Sequence, residues 1–477
     1  MARPMVLTRP ARREPGSIGA RFAESARACG IRTSDGELQT WFEDRRRANL
    51  FSVDRIPLSG LQGWHEHRHT GNLVHETGRF FTVEGLSART GPGPDDGWMQ
   101  PIIHQPEIGV LGIVVKEFDG VLHLLMQAKM EPGNVGLVQL SPTVQATRSN
   151  YVGAHRGRGI THLEYFAEPG RARVLVDVLQ SEQGSWFLHK RNRNMVVEAL
   201  DEVPEHPDFR WLTLAQVHEM LRQDNRINMD ARSVLSCIPF EGADDACDWD
   251  EYRETLRRGL RDDLPTRHRD ADNLLWLTDI KARAELHQRL VPLRSVRGWH
   301  RDEDAIRHDE GRFFEVMAVN VRAENREVSA WTQPLIAPTG QGMAAFLARP
   351  VDGVLHLLVQ AKVEAGVRDV AELAPTYQAL PSNFADLPAH RRPRFENEVL
   401  NAPAATMRYD SAQSEEGGRF HHAINNYRVI DVGTGFPLDE PPGFRWMTPR
   451  QLMSLLTHSY YVNVQARSLL AGLQTTW

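Results

Sequence analysis

The chain is written twice, and no other feature limits its fold as strongly. Asp119–Gly133 reads DGVLHLLMQAKMEPG, and 233 positions later Asp352–Gly366 reads DGVLHLLVQAKVEAG. The same spacing joins GRFF at Gly78 to GRFF at Gly311, and WMQPI at Trp98 to WTQPL at Trp331. It also joins SPTVQATRSNY at Ser141 to APTYQALPSNF at Ala374, and QSEQG at Gln180 to QSEEG at Gln413. At a spacing of 235, FRWLT at Phe209 meets FRWMT at Phe444, and NMDARSVL at Asn228 meets NVQARSLL at Asn463. Matches this long, in one order, mark a tandem duplication. The reading is a tail over 1–31, a first module over 32–240, an acidic joint over 241–265 and a second module over 266–477. The joint carries no apolar periodicity and reads as a linker or short helix.

Composition excludes several classes. With 25% charged and 41% hydrophobic residues, the 477-residue chain is that of a globular protein too long for one core. No run of about 18 apolar residues occurs, so no membrane-spanning helix is expected. A net charge of -6 and a pI near 6.4 argue against a nucleic-acid binder. Cys29, Cys237 and Cys247 fit neither a disulfide framework nor a zinc site. The N-terminal stretch, rich in Arg, Ala, Gly and Pro, lacks a signal-peptide core. A cytoplasmic protein with a mobile N-terminal tail is expected.

Each copy has the same outline. An amphipathic helix opens it, marked by Leu38, Trp41 and Phe42 in the first copy and by Leu274, Leu275, Leu277 and Ile280 in the second. A hairpin follows, Val110–Phe118 and Val121–Ala128 about an Asp119-Gly120 turn, repeated around Asp352-Gly353. A second strand pair, Val174–Leu179 and Phe187–Val197, is expected to turn through Ser181–Gly184. Helices near Leu214–Leu221 and after Asn228 close the copy. Mixed strands with terminal helices predict an α+β fold. No GxGxxG follows a strand and no P-loop signature occurs, so dinucleotide and P-loop chemistry have no support.

The stretch from Gln127 to Tyr151 carries the densest chemistry. Gln127, Gln139, Ser141, Thr143, Gln145, Ser149 and Asn150 supply neutral donors and acceptors. That mixture suits a sugar or a base edge better than a metal ion, or else it caps turns and satisfies buried backbone. Lys129 and Glu131 share a strand face, as a functional pair or as an ion pair at the sheet edge. Tyr151 and His155 are candidates for proton transfer. Arg156 and Arg158 are suited to a diphosphate. Each also has a plain packing or surface reading.

Glu182 and Glu415 occupy matching turns, and Trp64, Trp98, Trp186, Trp299 and Trp331 either stack on a base or pack. His65, His67, His69 and His75 have the spacing of strand ligands, but the second copy keeps only His300, which favours a polar loop over a metal site. The copies diverge within the polar run. Ser141 becomes Ala374, Tyr151 becomes Phe384, Gln139 becomes Glu372 and His155 becomes Pro388. The first copy is the better candidate for chemistry.

The segment from Gly120 through SPTVQATRSNY, together with Trp98–Ile102 and the doubled build, closely resembles the NDP-hexose 2,3-dehydratase family. The resemblance implies two tandem Nudix-like modules, a homodimer and a dTDP-4-keto-6-deoxyglucose substrate, with a 3-ketoreductase acting next in the making of 2,6-dideoxysugars for antibiotics. Neither copy holds a GX5EX7REUXEE Nudix box, which lowers any pyrophosphohydrolase reading and fits a site without a metal. A non-catalytic nucleotide-sugar-binding protein is the other alternative.

The implied reaction dictates its own requirements. The 4-keto group acidifies C3–H, a base removes that proton, and the C2 hydroxyl leaves as water. No net hydride moves, so no redox cofactor is expected. Glu131 or His155 are the candidates for base and acid, and Lys129 or Tyr151 would steady the enolate. Gln127, Gln139, Ser141, Thr143, Gln145, Ser149 and Asn150 would hold sugar and nucleotide, and Arg156 the diphosphate.

Overall fold

The computed structural model describes residues 17–48, 51–91, 97–147, 159–240, 250–323 and 329–477. Mixed helix and sheet recur in both copies, which is the duplicated α+β architecture expected.

The predicted hairpins form. Gly109–Phe118 and Val121–Met130 pair antiparallel, with Phe118 opposite Val121. Asp119 (φ 49°) and Gly120 (φ 86°) both adopt left-handed backbone, the requirement of a tight two-residue turn that follows strand twist. Gly342–Val351 and Val354–Lys362 repeat the arrangement about Asp352 and Gly353. Each hairpin anchors a seven-stranded sheet. In the first copy Ala172–Ser181 pairs antiparallel with Arg191–Ala199, which runs parallel to Gly109–Phe118. Met407–Ser414, Ile424–Asp431 and Gly342–Val351 repeat that order.

The second strand pair does not close in a short turn. Arg191 begins the return strand, and residues 182–190 leave the sheet. Residues 415–423 do the same in the second copy. Each connector crosses to the other copy. Gly133 N–H donates to Gly417 O at 2.8 Å, and Gly366 N–H donates to Gly184 O at 2.6 Å. A Cβ at Gly133 would overlap the Phe420 carbonyl oxygen, and one at Gly366 the Phe187 carbonyl oxygen, so only glycine admits the crossing backbone.

The copies also exchange strands. Phe51–Ile56 pairs with Phe314–Ala323 of the second copy, in register from Phe51 opposite Ala323 to Ile56 opposite Ala318. His287–Val291 pairs with Thr82–Arg89 of the first. Two five-stranded sheets result, each built from both halves of the chain. Their apolar faces merge in one core, where Trp64, Phe81, Ile103 and Phe187 meet Phe314, Val316, Ile336 and Phe420.

Two helices lie outside the modules drawn from sequence. Ile18–Ser25, inside the expected tail, is a helix capped by Ser17, with Phe22 fully buried; that ring alone contributes about 1.5–3 kcal/mol. Glu251–Gly259, inside the expected joint, is its second-copy counterpart, and its Tyr252 and Leu256 are buried. The opening helices form at Asp35–Ala48 and Asp270–Arg283. Leu38, Trp41 and Phe42 are buried as expected, whereas Leu274 and Leu275 are exposed and Leu277, with the half-buried Trp276, packs against the core. Among the described residues no helix is long and apolar enough to cross a membrane.

Candidate functional site

In the first copy the polar run begins as the Val121–Met130 strand ends. Met126, Ala128 and Met130 face the core, which turns Gln127 and Lys129 to the opposite, half-buried face. Glu131 follows them and is buried. Gln145 Nε2 donates to Glu131 Oε1 at 2.7 Å, and Lys129 Nζ lies 4.0 Å from the same oxygen. Lys129 Nζ also donates to the Gln145 carbonyl at 3.3 Å. Asn228 completes the set: its Nδ2 donates to Gln145 Oε1 at 3.0 Å and to Ser141 Oγ at 2.9 Å. Its Oδ1 accepts from Ala231 N–H and so caps the Met229–Ser236 helix. One asparagine thus ties a helix start to the carboxylate.

Lys129, Glu131, Ser141 and Gln145 are therefore brought together. Thr143 is not part of that set. Its hydroxyl donates to the Leu125 carbonyl and accepts from Val114 N–H, so it stitches the sheet. Gln139 is fully buried, and its Nε2 donates to Ser414 Oγ of the second copy at 2.9 Å. Both were expected to hold ligand; the Thr143 hydroxyl is committed to backbone, whereas Gln139 bonds Ser414 through Nε2 and its buried Oε1 has no hydrogen-bond partner. Ser149, Asn150, Tyr151, His155 and Arg156 lie outside the described residues. Their second-copy counterparts Ser382 and Asn383, with Glu310, Arg312, Thr339 and Asp386, line a cleft of about 430 Å³. His67 and His75 bond to Thr70 and Thr77, and among the described residues no three His, Cys, Asp or Glu side chains are arranged to hold a metal ion.

A ring of charge surrounds the set, and sequence reasoning missed most of it. Glu182 and Lys190 stand at the two ends of the first connector, both buried. Asn192 Nδ2 donates to Glu182 Oε1 at 2.7 Å, while Glu182 Oε2 has no hydrogen-bond partner. Burial raises the Glu182 carboxyl, opposed by the charges of Arg467 and Lys190. Burial also lowers the Lys190 ammonium. The second copy's connector supplies Glu416 and Arg419. A Cβ at Gly418 would lie 3.1 Å from Glu416 Oε1 and 3.6 Å from Glu131 Oε1, so both carboxylates crowd one glycine. Glu416 is pushed up to about 7 by burial and by Glu182 and Glu131, with Arg419 opposing. Arg419 lies over the Phe81 ring and donates to Gln105 at 3.1 Å.

Asp230 sits in the first turn of the Met229–Ser236 helix, where the helix dipole ordinarily favours the ionised form by about 0.3–1 kcal/mol. Burial and the neighbouring Glu182, Glu416 and Glu131 overcome that preference and raise its carboxyl well above the ordinary range.

The second copy keeps the frame without the ring. Lys362 Nζ donates to Gln378 O at 2.8 Å, Gln378 Nε2 to Glu364 Oε1 at 3.1 Å, and Asn463 Nδ2 to Gln378 Oε1 at 2.8 Å. Ser185 Oγ, from the first copy's connector, also donates to Glu364 at 2.7 Å; Gly418 stands at the aligned position beside Glu131. Lys190, Asp230, Glu416 and Arg419 align with Ala423, Gln465, Gln183 and Trp186. Comparing the copies at these positions would have exposed the ring, since each charged side chain faces a neutral one.

The family model described as NDP-hexose 2,3-dehydratase matches the chain twice, over residues 35–238 and 270–473. A dTDP-4-dehydro-6-deoxy-alpha-D-glucopyranose 2,3-dehydratase of Saccharopolyspora spinosa is 51% identical over 462 residues, covering 96% of this chain and 95% of the relative. A protein of the same name from Amycolatopsis orientalis is 50% identical over 93% of this chain and 90% of its own length. Another, from Streptomyces violaceoruber, is 45% identical over 93% of this chain and 98% of its own length.

Proposed function

The chain belongs to the NDP-hexose 2,3-dehydratase family, and from that premise we propose that it removes the C2 hydroxyl of dTDP-4-keto-6-deoxyglucose. It is a carbon–oxygen lyase, and the product is a 3,4-diketo-2,6-dideoxyhexose still carried on its nucleotide. The observation that supports the assignment to this site is the buried Glu131 beside Lys129, framed by Gln145 and Asn228.

Glu131 takes the proton from C3, which the C4 carbonyl has acidified. Gln145 fixes the direction of its carboxylate, so the base is aimed before substrate arrives. The Lys129 ammonium steadies the negative charge that develops on the C4 oxygen. Electrons then return from the enolate, C2–C3 becomes a double bond and the C2 oxygen departs as water. The resulting enol tautomerises to the 3,4-diketone. Gln127, Ser149 and Asn150 hold the sugar and nucleotide and Arg156 the diphosphate, with His155 the alternative base or acid and Tyr151 the alternative group to steady the enolate. The unstable diketone requires a 3-ketoreductase to follow, in a cytoplasmic route to deoxysugars of antibiotics. The enzyme acts as a homodimer of Nudix-like descent.

Incubation with dTDP-4-keto-6-deoxyglucose, with and without a chelator, tests the reading by mass spectrometry. Loss of one water, unaffected by the chelator, is the expected result. Release of dTMP, or substrate recovered intact, would overturn it.

A further inference from the structure

Glu131 is spent on the C3 proton and Lys129 on the C4 oxygen, and the departing C2 oxygen needs a proton of its own. A hydroxide is a poor leaving group from C2, so an acid must reach the C2 oxygen as well. The first copy holds one buried carboxyl suited to that task. Asp230 is 3% exposed, and its Oδ1 has no hydrogen-bond partner. It lies two residues beyond Asn228, whose side chain is joined through Gln145 to Glu131. The charged groups facing it are Glu182 and Lys190 from the first connector, Glu416 and Arg419 from the second copy's connector, and Glu131 and Lys129 from the strand end. Anions crowd it from three elements, and a carboxyl so placed keeps its proton. Glu182 is the rival candidate, but Arg467 and Lys190 face it and Asn192 bonds it, all of which favour its ionised form.

The comparison between copies points the same way. The second copy retains the lysine, the carboxylate, the glutamine and the asparagine of the base set, but Gln465 stands where Asp230 does. An amide occupies the same space and has no acidic proton.

We propose that Asp230 protonates the C2 hydroxyl as it leaves, and that the second copy's Glu416 completes the first copy's site by holding that acid ready. This rests on the dehydratase reading given above. In the step, Glu131 gains the C3 proton, the C2–O bond breaks with both electrons going to oxygen, and the Asp230 proton converts the leaving group to water. Glu131 is left protonated and Asp230 ionised. Transfer of that proton back through the site restores both groups, so one water is the net loss.

The test separates proton abstraction from elimination. In deuterated buffer, Asp230→Asn and Asp230→Gln are expected to lose dehydration by about 100-fold or more while still exchanging the C3 hydrogen for deuterium. The glutamine variant places the second copy's own residue at that position, so it keeps a side chain that the aligned site accepts, and the asparagine variant keeps the parent's shape. Adding Glu131→Gln is expected to abolish the exchange, which assigns it to the first copy. Near-parental dehydration in both Asp230 variants would overturn the proposal, as would loss of exchange together with dehydration. If the parent enzyme neither exchanges nor loses water, the dehydratase reading itself fails. Removing an anion beside the acid lowers its pKa, so Glu416→Gln is expected to move the alkaline limb of the kcat profile to lower pH. A limb that stays in place, or moves upward, removes Glu416 from the proposal.

Discussion

Arg232 and Arg467 are each fully buried and each bond to the other's helix: Arg232 Nε donates to Ser468 Oγ at 3.2 Å, and Arg467 Nε donates to Ser233 Oγ at 3.0 Å. Each also reaches a strand end of the opposite copy. Arg232 Nη2 donates to Ser414 O at 2.7 Å, and Arg467 Nη2 to Ser181 O at 2.5 Å. Those serines are where the two connectors begin. The pair therefore fixes both crossings from one point between the Met229–Ser236 and Val464–Gln474 helices. Arg467→Met strands two buried carbonyls and a hydroxyl, and also withdraws the cation facing Glu182 and Glu372. A loss of about 3–5 kcal/mol is expected, read as a lower urea midpoint with an unchanged slope.

The copies are expected to differ in their answer to one substitution. Glu131→Gln removes the base and lowers turnover by about 10²–10⁴-fold. Glu364→Gln, at the aligned position, is expected to leave turnover close to the parent. Steady-state rates of the two purified variants check this, and equal losses would show that both copies work.

Glu372 gives a pH-dependent prediction. Burial pushes its carboxyl up to about 7, against about 4.3 in an unfolded chain. The folded state thus binds the proton more tightly, and stability falls as pH rises from the lower value to the higher, then levels off. Glu372→Gln, which installs the residue found at Gln139, removes that dependence while leaving an oxygen for Ser181 Oγ–H. The variant is expected to be more stable than the parent at pH 8, by about 3–4 kcal/mol, with the gap closing near pH 4–5. Melting curves at the two pH values decide it.

Exchanged strands predict that neither half of the chain folds alone. Residues 17–240 lack the strand His287–Val291 and the core partners Phe314 and Phe420. Residues 250–477 lack Phe51–Ile56. Each half made separately should show no cooperative unfolding, and mixing the two should restore it together with activity.

Local pattern made the hairpins, the capped helices and the polar run at the end of the Val121–Met130 strand readable from sequence. Asp119-Gly120 can adopt the tight turn whatever surrounds it, and Lys129 and Glu131, two apart at the strand end, come within 4.0 Å of each other. The exchange was not readable. Phe51–Ile56 carries the same signal whether its partner lies in its own copy or the other. The same limit applied to Ser181–Gly184, a Ser-Glu-Gln-Gly stretch that resembles a hairpin turn but opens a connector crossing to Gly366. For Thr143, composition cannot distinguish a hydroxyl facing a cleft from one bonded to Leu125 O. Lys190 and Asp230 lie far from the run in sequence, and the fold brings them to it.

Exchange also imposes a schedule on synthesis. The Arg55–Glu315 ion pair joins residues 260 apart, so the edge that takes Phe51–Ile56 is not yet made when that segment leaves the ribosome. At roughly 5–20 residues per second, the wait is on the order of ten to fifty seconds. Through that interval an apolar-flanked edge stands open to any neighbouring nascent chain. Slower growth or a supply of holdase should therefore raise the recovered yield of this protein more than that of a chain whose strands pair with their near neighbours.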